Sequence, residues 1–220
     1  MKILINAGHG GSDPGAVKKI REVDFNYPFA QKIIDRIRAL GGDVADLIPS
    51  VGGSAKAVAI ANAYGRDTVL LSIHANCCGG TGYEVFYADG FYRGKTQELV
   101  EVVHNAYVQS GLRKRGIKPD TQTAVKRLTI LRDTVMPACL LECGFVDNDA
   151  ATLMDERFQN RMADILARAL IAVAGQSVQE PPLAETLQAP TEIQPTIMAA
   201  QFTDDEVRIL KALTGFIRDN

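Results

Sequence analysis

The chain has 220 residues, 46% of them apolar and 23% charged, which is ordinary for a globular protein that buries a full core. Its formal net charge is −2, so the composition does not favour a polyanionic partner such as nucleic acid. No apolar stretch approaches the roughly 20 residues needed to span a bilayer, and the first apolar run is too short for a signal peptide. We therefore expect one main domain, cytoplasmic synthesis without a signal peptide, and no membrane span.

Short apolar runs alternate with helical patterns along most of the chain. The first run, Lys2–Asn6, is apolar without alternation, which predicts a strand buried on both faces. A glycine-rich turn over residues 8–15 follows it. A helix is predicted over Tyr27–Leu40, with Asn26 as its cap and Pro28 in its first turn.

The same alternation continues downstream. Further strands are predicted from β-branched or alternating apolar runs over residues 44–47, 68–74, 83–87, 128–131 and 138–142. Helices are predicted over residues 55–64, 96–110 and, as one or two segments, 149–174. Strands that alternate with helices predict an α/β fold with a mostly parallel central sheet and helices on both faces.

The composition changes after the last of these helices. Residues 176–200 hold four prolines among Gln, Glu, Thr and Ala, which predicts an extended linker. Residues 201–220 carry apolar side chains at helical spacing, behind a capping-box pattern. We therefore predict one main domain over 1–175, a linker, and a short C-terminal helix. A helix this short is marginal alone, so we expect it to dock on its own domain, on a second copy of the chain, which would give self-association, or on another chain.

Two histidines and a glutamate have the chemistry of a metal site. His9 and His74 each follow or end a predicted strand, where parallel sheets present their ligands, and Glu22 lies between them in sequence. Zinc binds neutral imidazole and carboxylate, and a hydrolytic zinc site keeps only three protein ligands so that water takes the fourth position. These three residues would supply such a set, which predicts a Zn²⁺ site.

Glu142 ends another predicted strand, after the apolar run Ala138–Leu141. A carboxylate there is costly without a role, and it could take a proton from water and return it to a leaving nitrogen. Burial would raise its pKa, while a nearby cation would oppose that shift. Because the chain has no local HExxH or CxxC motif, the residues alone leave open both a metal hydrolase and ordinary hydrogen-bonded side chains.

Other reactive or charged groups have simpler interpretations. His104 lies inside a predicted helix and is interpreted as structural or exposed. The basic cluster Arg113–Arg115 with Lys118 is interpreted as a solvated face. The cysteines are too few for a disulfide scaffold, and we interpret them as free structural or incidental thiols rather than as part of a Cys–His nucleophilic site. They are at positions 77, 78, 139 and 143.

Three segments resemble the signature blocks of the zinc-dependent N-acetylmuramoyl-L-alanine amidases of amidase type 3. They stand in the family's order and at similar separations, and they are Ile5–Ala16, Ser72–Asn76 and Leu141–Asn148. The approach to the third block is also similar, over Arg115–Lys118, Leu128–Arg132 and Met136–Ala138. The resemblance covers about residues 1–175 and implies a zinc amidase catalytic domain there.

The resemblance implies that His9, Glu22 and His74 bind zinc and that Glu142 is the catalytic carboxylate. It also implies hydrolysis of the amide that joins the lactyl group of N-acetylmuramic acid to L-alanine, with peptidoglycan as the partner. Residues 44–58 depart from the family's pattern. No long insertion separates His74 from Glu142 that could serve as an autoinhibitory helix, which predicts an open site.

Two other functions remain open. A zinc peptidase acting within stem peptides would create new amino groups without releasing intact stem peptides from glycan. A non-catalytic wall-binding module would cause no chelator-sensitive lysis. For an enzyme made without a signal, we expect action on the cell wall after release by lysis, either as a phage endolysin or as an autolysin freed from a mother cell. A compact domain with a linker and a small C-terminal element favours the endolysin.

Overall fold

A computed structural model describes residues 1–180. The predicted linker from residue 181 onward lies outside the described residues, as does the predicted C-terminal helix with its self-association. The strands are β1 (Lys2–Ala7), β2 (Ile48–Pro49), β3 (Thr68–Asn76), β4 (Tyr83–Tyr87), β5 (Lys114–Pro119) and β6 (Ala138–Phe145). The helices are α1 (Glu22–Ala39), α2 (Ser54–Ala63), α3 (Gly94–Tyr107), α4 (Thr129–Arg132), α5 (Ala150–Leu153) and α6 (Glu156–Val173).

The six strands form one sheet in the order β2-β1-β3-β6-β4-β5. The first four of these are parallel to one another, whereas β4 runs antiparallel to β6 and parallel to β5. The predicted α/β fold with a mostly parallel sheet is therefore confirmed. Because β1, β3 and β6 run in one direction, their C-terminal ends meet at one edge of the sheet.

Both faces of the central strands are covered by helices. Successive residues of β1 enter two separate cores, since side chains on a strand alternate between its faces. Ile3 and Ile5 pack in the core formed with α1, α3 and α6, while Leu4 packs in the core formed with α2 and α4. This arrangement explains the apolar runs without alternation that the sequence shows in β1 and β3.

Helix α1 begins at Glu22 rather than at the predicted Tyr27, so Pro28 lies inside the helix. Asn26 is buried within the helix and is not its cap. The extra turn is stabilised by packing, because Phe25 stacks on Phe29 and both are fully buried. Tertiary burial here outweighs the cost of a proline inside a helix.

Two strand predictions were wrong in detail, and one strand was not predicted. The predicted strand 128–131 lies largely in α4, because a short apolar run does not distinguish a strand from a helical turn. The strand predicted over 44–47 is displaced to β2, and only Val44 forms an isolated bridge, to Ile3. The sequence analysis also missed β5, a basic edge strand of a kind that resists pairing with other chains.

The observed bounds of the other helices are closer to those predicted from the sequence. Residues 149–174 form two helices, α5 and α6, and Asp155 caps α6 by accepting a hydrogen bond from the backbone N–H of Phe158. Within residues 1–180, no helix combines the length and apolar character needed to cross a bilayer.

Candidate active site

Four residues named by the sequence analysis converge at the C-terminal edge of the parallel strands. His9 follows β1, and His74 and Glu142 are register partners on the neighbouring strands β3 and β6. Glu22 is the first residue of α1, and its carboxylate reaches the same edge. The fold thus brings together residues that are up to 133 positions apart, since 142 − 9 = 133.

The carboxylate of Glu22 lies between two imidazoles. Its Oε2 is 3.1 Å from His9 Nε2, and its Oε1 is 2.9 Å from His74 Nδ1. The two rings meet edge to face, with their centroids 5.1 Å apart. One potential ligand atom from each of the three residues lies within 4.8 Å of the other two. This donor set of two imidazoles and one carboxylate fits Zn²⁺.

The position of Glu22 is fixed by further hydrogen bonds. Its two oxygens accept from the backbone N–H groups of Ala16 and Ala75, each at 3.1 Å. The side-chain amide of Asn26 donates to Oε1 at 3.1 Å and to the carbonyl of Gly8 at 3.2 Å. Asn26, predicted as a helix cap, therefore orients the candidate metal ligand instead.

Asp13 holds the ring of His9 from the side away from Glu22. Its Oδ2 is 2.8 Å from His9 Nδ1, and its Oδ1 accepts from the backbone N–H of Gly15 at 3.0 Å. A carboxylate on the second ring nitrogen fixes the orientation of a ligating histidine. The sequence analysis did not assign this role, although a carboxylate four positions after a histidine in a tight turn was a usable signal.

Two glycines let the backbone approach the site closely. A Cβ atom at Gly8 would lie 2.1 Å from His74 Cε1. A Cβ atom at Gly15, which has a φ of +67°, would lie 2.6 Å from His9 Cδ2 and 2.7 Å from Glu22 Oε2. The glycine-rich turn therefore leaves space that any larger residue would take from the candidate ligands.

The three residues interact strongly through their charges and hydrogen bonds. The hydrogen bond from His9 to Glu22 outweighs burial and raises the pKa of His9 to about 9. Burial by itself would raise the pKa of Glu22, but hydrogen bonds with His74 and His9 prevail and hold that pKa well below its usual range. A metal ion at this position would take the place of a proton, because zinc binds neutral imidazole.

Glu142 lies next to this group in a very different environment. Its Oε2 is buried and has no hydrogen-bond partner among the described residues. Burial raises the pKa of Glu142 well above its usual range, and the negative charges of Glu22 and Glu84 act in the same direction. A buried carboxyl group with a raised pKa binds a proton more strongly than an exposed one and can exchange it with a ligand.

A cavity of about 580 Å³ opens beside Glu142. It is walled on the far side by Arg115 and Lys118 of β5 and by the loop over residues 122–128. The smaller cavity beside His9 and His74 has a volume of about 90 Å³. Glu142 therefore lies between the candidate metal ligands and the larger space.

Glu84 is a second buried carboxylate, which the sequence analysis missed. Its side chain accepts hydrogen bonds from Asn76 at 2.6 Å, from Arg115 at 3.2 Å and from Lys118. The interpretation of this basic cluster as a solvated face is therefore wrong for Arg115 and Lys118. The available signal was a glutamate inside the apolar run of β4, since a buried carboxylate requires cationic or hydrogen-bonding partners.

The cysteines and the third histidine lie outside the candidate ligand set. Cys77 and Cys78 are joined by a disulfide, so the prediction of free thiols is wrong for this pair. They are neighbours in the loop after β3, where Cys78 has a φ of 77° and the chain is no longer extended. Cys139 and Cys143 are free and buried. His104 lies on α3, with its ring 5.6 Å from that of Tyr83.

The sequence model of a family described as N-acetylmuramoyl-L-alanine amidase (Amidase_3) matches residues 3–172. The chain belongs to this family. It is 32% identical over 171 residues to the N-acetylmuramoyl-L-alanine amidase CwlM of Bacillus licheniformis, covering 74% of this chain and 64% of the relative. It is 31% identical over 174 residues to the endolysin of Bacillus phage SPP1, covering 74% of this chain and 62% of the relative. The chain thus spans less than two thirds of the length of these amidase-family relatives.

Solved structures of the amidase family share the fold. The catalytic domain of CwlV, an N-acetylmuramoyl-L-alanine amidase from Bacillus (Paenibacillus) polymyxa var. colistinus, superposes with a TM-score of 0.65 at 30% identity. The match covers 78% of this chain and 96% of that domain. The amidase AmiC2 of Nostoc punctiforme superposes with a TM-score of 0.66 at 25% identity, over 80% of this chain and 98% of that structure. The resemblance that the sequence blocks predicted is confirmed.

Proposed function

We propose that the chain hydrolyses the amide bond between N-acetylmuramic acid and L-alanine in peptidoglycan, with Zn²⁺ held by His9, Glu22 and His74. The observation that carries this proposal is the convergence of these three ligands beside the unpartnered carboxyl group of Glu142. Family membership supports the same class of reaction, because the matching family is described as an N-acetylmuramoyl-L-alanine amidase. The relatives also include an endolysin.

Each residue has a separate task in the proposed reaction. Bound zinc would polarise the amide carbonyl and activate water. Glu142 accepts a proton from the attacking water and donates it to the leaving nitrogen. Because burial raises the pKa of Glu142, its carboxylate is a stronger base than an exposed glutamate, which suits the uptake of a proton from water before its donation to the amine. Asp13 and Asn26 keep His9 and Glu22 in their ligating orientations.

The products follow from the bond that breaks. Water supplies oxygen to the acyl carbon of the lactyl group, the carbon–nitrogen bond breaks, and the nitrogen of L-alanine gains a proton. The glycan strand therefore retains a lactyl carboxylate, and the stem peptide leaves intact with a free amino terminus. The cavity of about 580 Å³ beside Glu142 provides room for the first residues of that peptide.

Mass spectrometry of the products from defined muropeptides, with and without added zinc, tests this proposal. We expect intact stem peptides that begin with L-alanine, formed with zinc and abolished by a chelator. Fragments with new amino groups inside the stem peptide would instead identify a zinc peptidase. No cleavage in the presence of zinc, together with retained wall binding, would identify a non-catalytic module.

We further propose that the protein reaches the cell wall after release by lysis. This proposal is supported by similarity to the phage SPP1 endolysin. Lysis of wall-bearing cells only when the protein is added from outside, or is expressed together with a membrane-permeabilising protein, would agree with it. Lysis on expression of the chain alone would contradict it.

A further inference from the structure

Two basic side chains form the wall of the larger cavity opposite Glu142. Arg115 and Lys118 project from β5 and both contact Glu84 on β4. Their side chains remain 28% and 26% exposed, whereas Glu84 is buried. They therefore present cationic surface to the cavity while being anchored from behind by a buried carboxylate.

The charges on this wall do not cancel. Glu84 carries one negative charge and faces two cations. Glu142 forms no ion pair with Arg115 or Lys118, and its Oε2 has no hydrogen-bond partner within the described part of the chain. One positive charge on β5 is therefore left without a partner inside the cavity, which favours an anionic ligand there.

Arg115 is held in a geometry that suits a carboxylate. In residues 1–180, its guanidinium donates a hydrogen bond only through Nε, to Glu84, and it lies over the ring of Phe145 at 5.0 Å. These two contacts fix the plane of the guanidinium and leave both terminal Nη nitrogens as donors. An arginine with a fixed plane and free Nη atoms binds carboxylates well.

The distance from Glu142 to the basic side chains of β5 determines which residue of a bound peptide lies beside Arg115 and Lys118. From β6, which carries Glu142, to β5 the sheet extends across two strand spacings, or roughly 10 Å. An extended peptide covers about 3.5 Å per residue, so the first two to three residues of the stem peptide span the distance from the reacting amide to the basic wall. In peptidoglycan, the second residue of the stem peptide is a γ-linked glutamate whose α-carboxylate is either free or amidated.

We propose that Arg115 and Lys118 form a carboxylate-binding subsite for the free α-carboxylate of the second stem-peptide residue. This inference rests on the proposed function, because it places the stem peptide in the cavity beside Glu142. The subsite makes the chain discriminate between wall peptides with a free acid and those with an amide at this residue. Arg115 and Lys118 thus determine specificity and take no part in breaking the bond.

Binding of the released peptide tests the subsite without catalysis. Isothermal titration calorimetry of the full chain would compare L-alanyl-γ-D-glutamyl-L-lysine with the same peptide carrying an α-amide on its glutamyl residue. We expect the free acid to bind about tenfold more tightly, because the amide loses a charge-assisted hydrogen bond. Equal affinities for the two peptides would overturn the proposal.

Three variants test whether Arg115 and Lys118 cause the preference for the free acid over the amide. In Arg115→Gln and Lys118→Gln, we expect the preference for the free acid to fall to about threefold or less. Lys114→Gln is the matched control, since Lys114 lies exposed on the same strand outside the cavity, and it should keep the wild-type preference. If Arg115→Gln does not fold, the ratio of the two peptide affinities in Lys118→Gln is sufficient to test the proposal. A wild-type preference in every folded cavity variant would overturn the proposal.

Hydrolysis assays on muropeptides with the free acid and the amide separate the two proposals. Tenfold discrimination in peptide binding without any hydrolysis would retain the subsite and reject the amidase. Hydrolysis of both muropeptides at equal kcat/KM, together with equal peptide affinities, would retain the amidase and reject the subsite.

Discussion

Glu84 and Glu142 stand directly opposite one another on the antiparallel strands β4 and β6. Glu84 is compensated by Arg115, Lys118 and Asn76, whereas Oε2 of Glu142 is buried without a hydrogen-bond partner among the described residues. Glu84 therefore anchors the basic side chains of the cavity wall, whereas Oε2 of Glu142 has no such contact within residues 1–180. This difference arises from which strand carries the basic residues, because β5 borders β4 and not β6.

Replacing Glu142 by glutamine should abolish cleavage and leave the metal site intact. We expect kcat to fall roughly 100- to 10,000-fold, because the amide cannot relay a proton. Zinc content, measured by plasma mass spectrometry, should remain that of the wild type. The exposed Glu98 of α3 provides a control, since Glu98→Gln should cleave normally. Wild-type cleavage by Glu142→Gln would reject Glu142 as the proton relay.

Zinc should stabilise the protein through His74 and not through His104. If zinc is added at about 1,000 times its Kd, linkage predicts a gain of about 4 kcal/mol in the free energy of unfolding. Calorimetric unfolding with zinc and with a chelator would show the gain as a higher Tm. We expect His74→Ala to lose the gain and His104→Ala, which alters the histidine outside the ligand set, to retain it. Equal gains in both variants would place the metal elsewhere.

A methyl group at Gly15 should weaken metal binding because it would collide with His9 and Glu22. Gly90 is a matched control, since its φ of +82° also lies in the left-handed region but a Cβ atom there would meet nothing within 4 Å. Backbone strain should cost both Gly15→Ala and Gly90→Ala about 1 kcal/mol of stability, and the collision should add to the loss in Gly15→Ala. Only Gly15→Ala should bind zinc more weakly in a competition titration with a chromogenic chelator. Equal zinc affinities would show that the turn relaxes around the methyl group.

The loop that walls the cavity should depend on an ion pair between Asp120 and Arg132. Asp120 is fully buried and accepts hydrogen bonds from Arg132 at 2.5 and 2.7 Å. Burial by itself would raise the pKa of Asp120, but hydrogen bonds from the Arg132 guanidinium and from the backbone N–H groups of Asp89 and Leu128 prevail and lower it. Asp120→Asn should therefore cost about 3 kcal/mol of unfolding free energy at pH 7.

The lowered pKa of Asp120 also sets a pH dependence. Its contribution to stability is complete above the usual aspartate pKa near 3.9 and is lost as the pH falls through the lower pKa of the folded state. Urea unfolding from pH 7 to pH 3 should show the difference between wild type and Asp120→Asn shrinking below about pH 4. The exposed Asp43 is the control, because Asp43→Asn should cost less than about 1 kcal/mol at every pH. A difference for Asp120→Asn that is independent of pH would contradict this account.

Much of the fold could be predicted because burial leaves a local pattern. The central strands β1 and β3 were found from apolar runs without alternation, and α6 from its helical periodicity. Residues 128–131 were predicted wrongly because so few apolar residues satisfy either geometry. The start of α1 at Glu22 was missed because the stacking of Phe25 on Phe29 is a consequence of tertiary packing.

The sequence by itself determined the candidate chemistry, because His9, His74 and Glu142 stand in motifs whose order and residue types can be read along the chain, and Glu22 follows the first of them. Only the tertiary structure decided the surroundings of these groups. The two cationic partners of Glu84 lie on the neighbouring strand β5, at sequence separations of 31 and 34. Strand order in a sheet is set by packing across the whole domain, so no local pattern could place a basic edge strand beside the cavity.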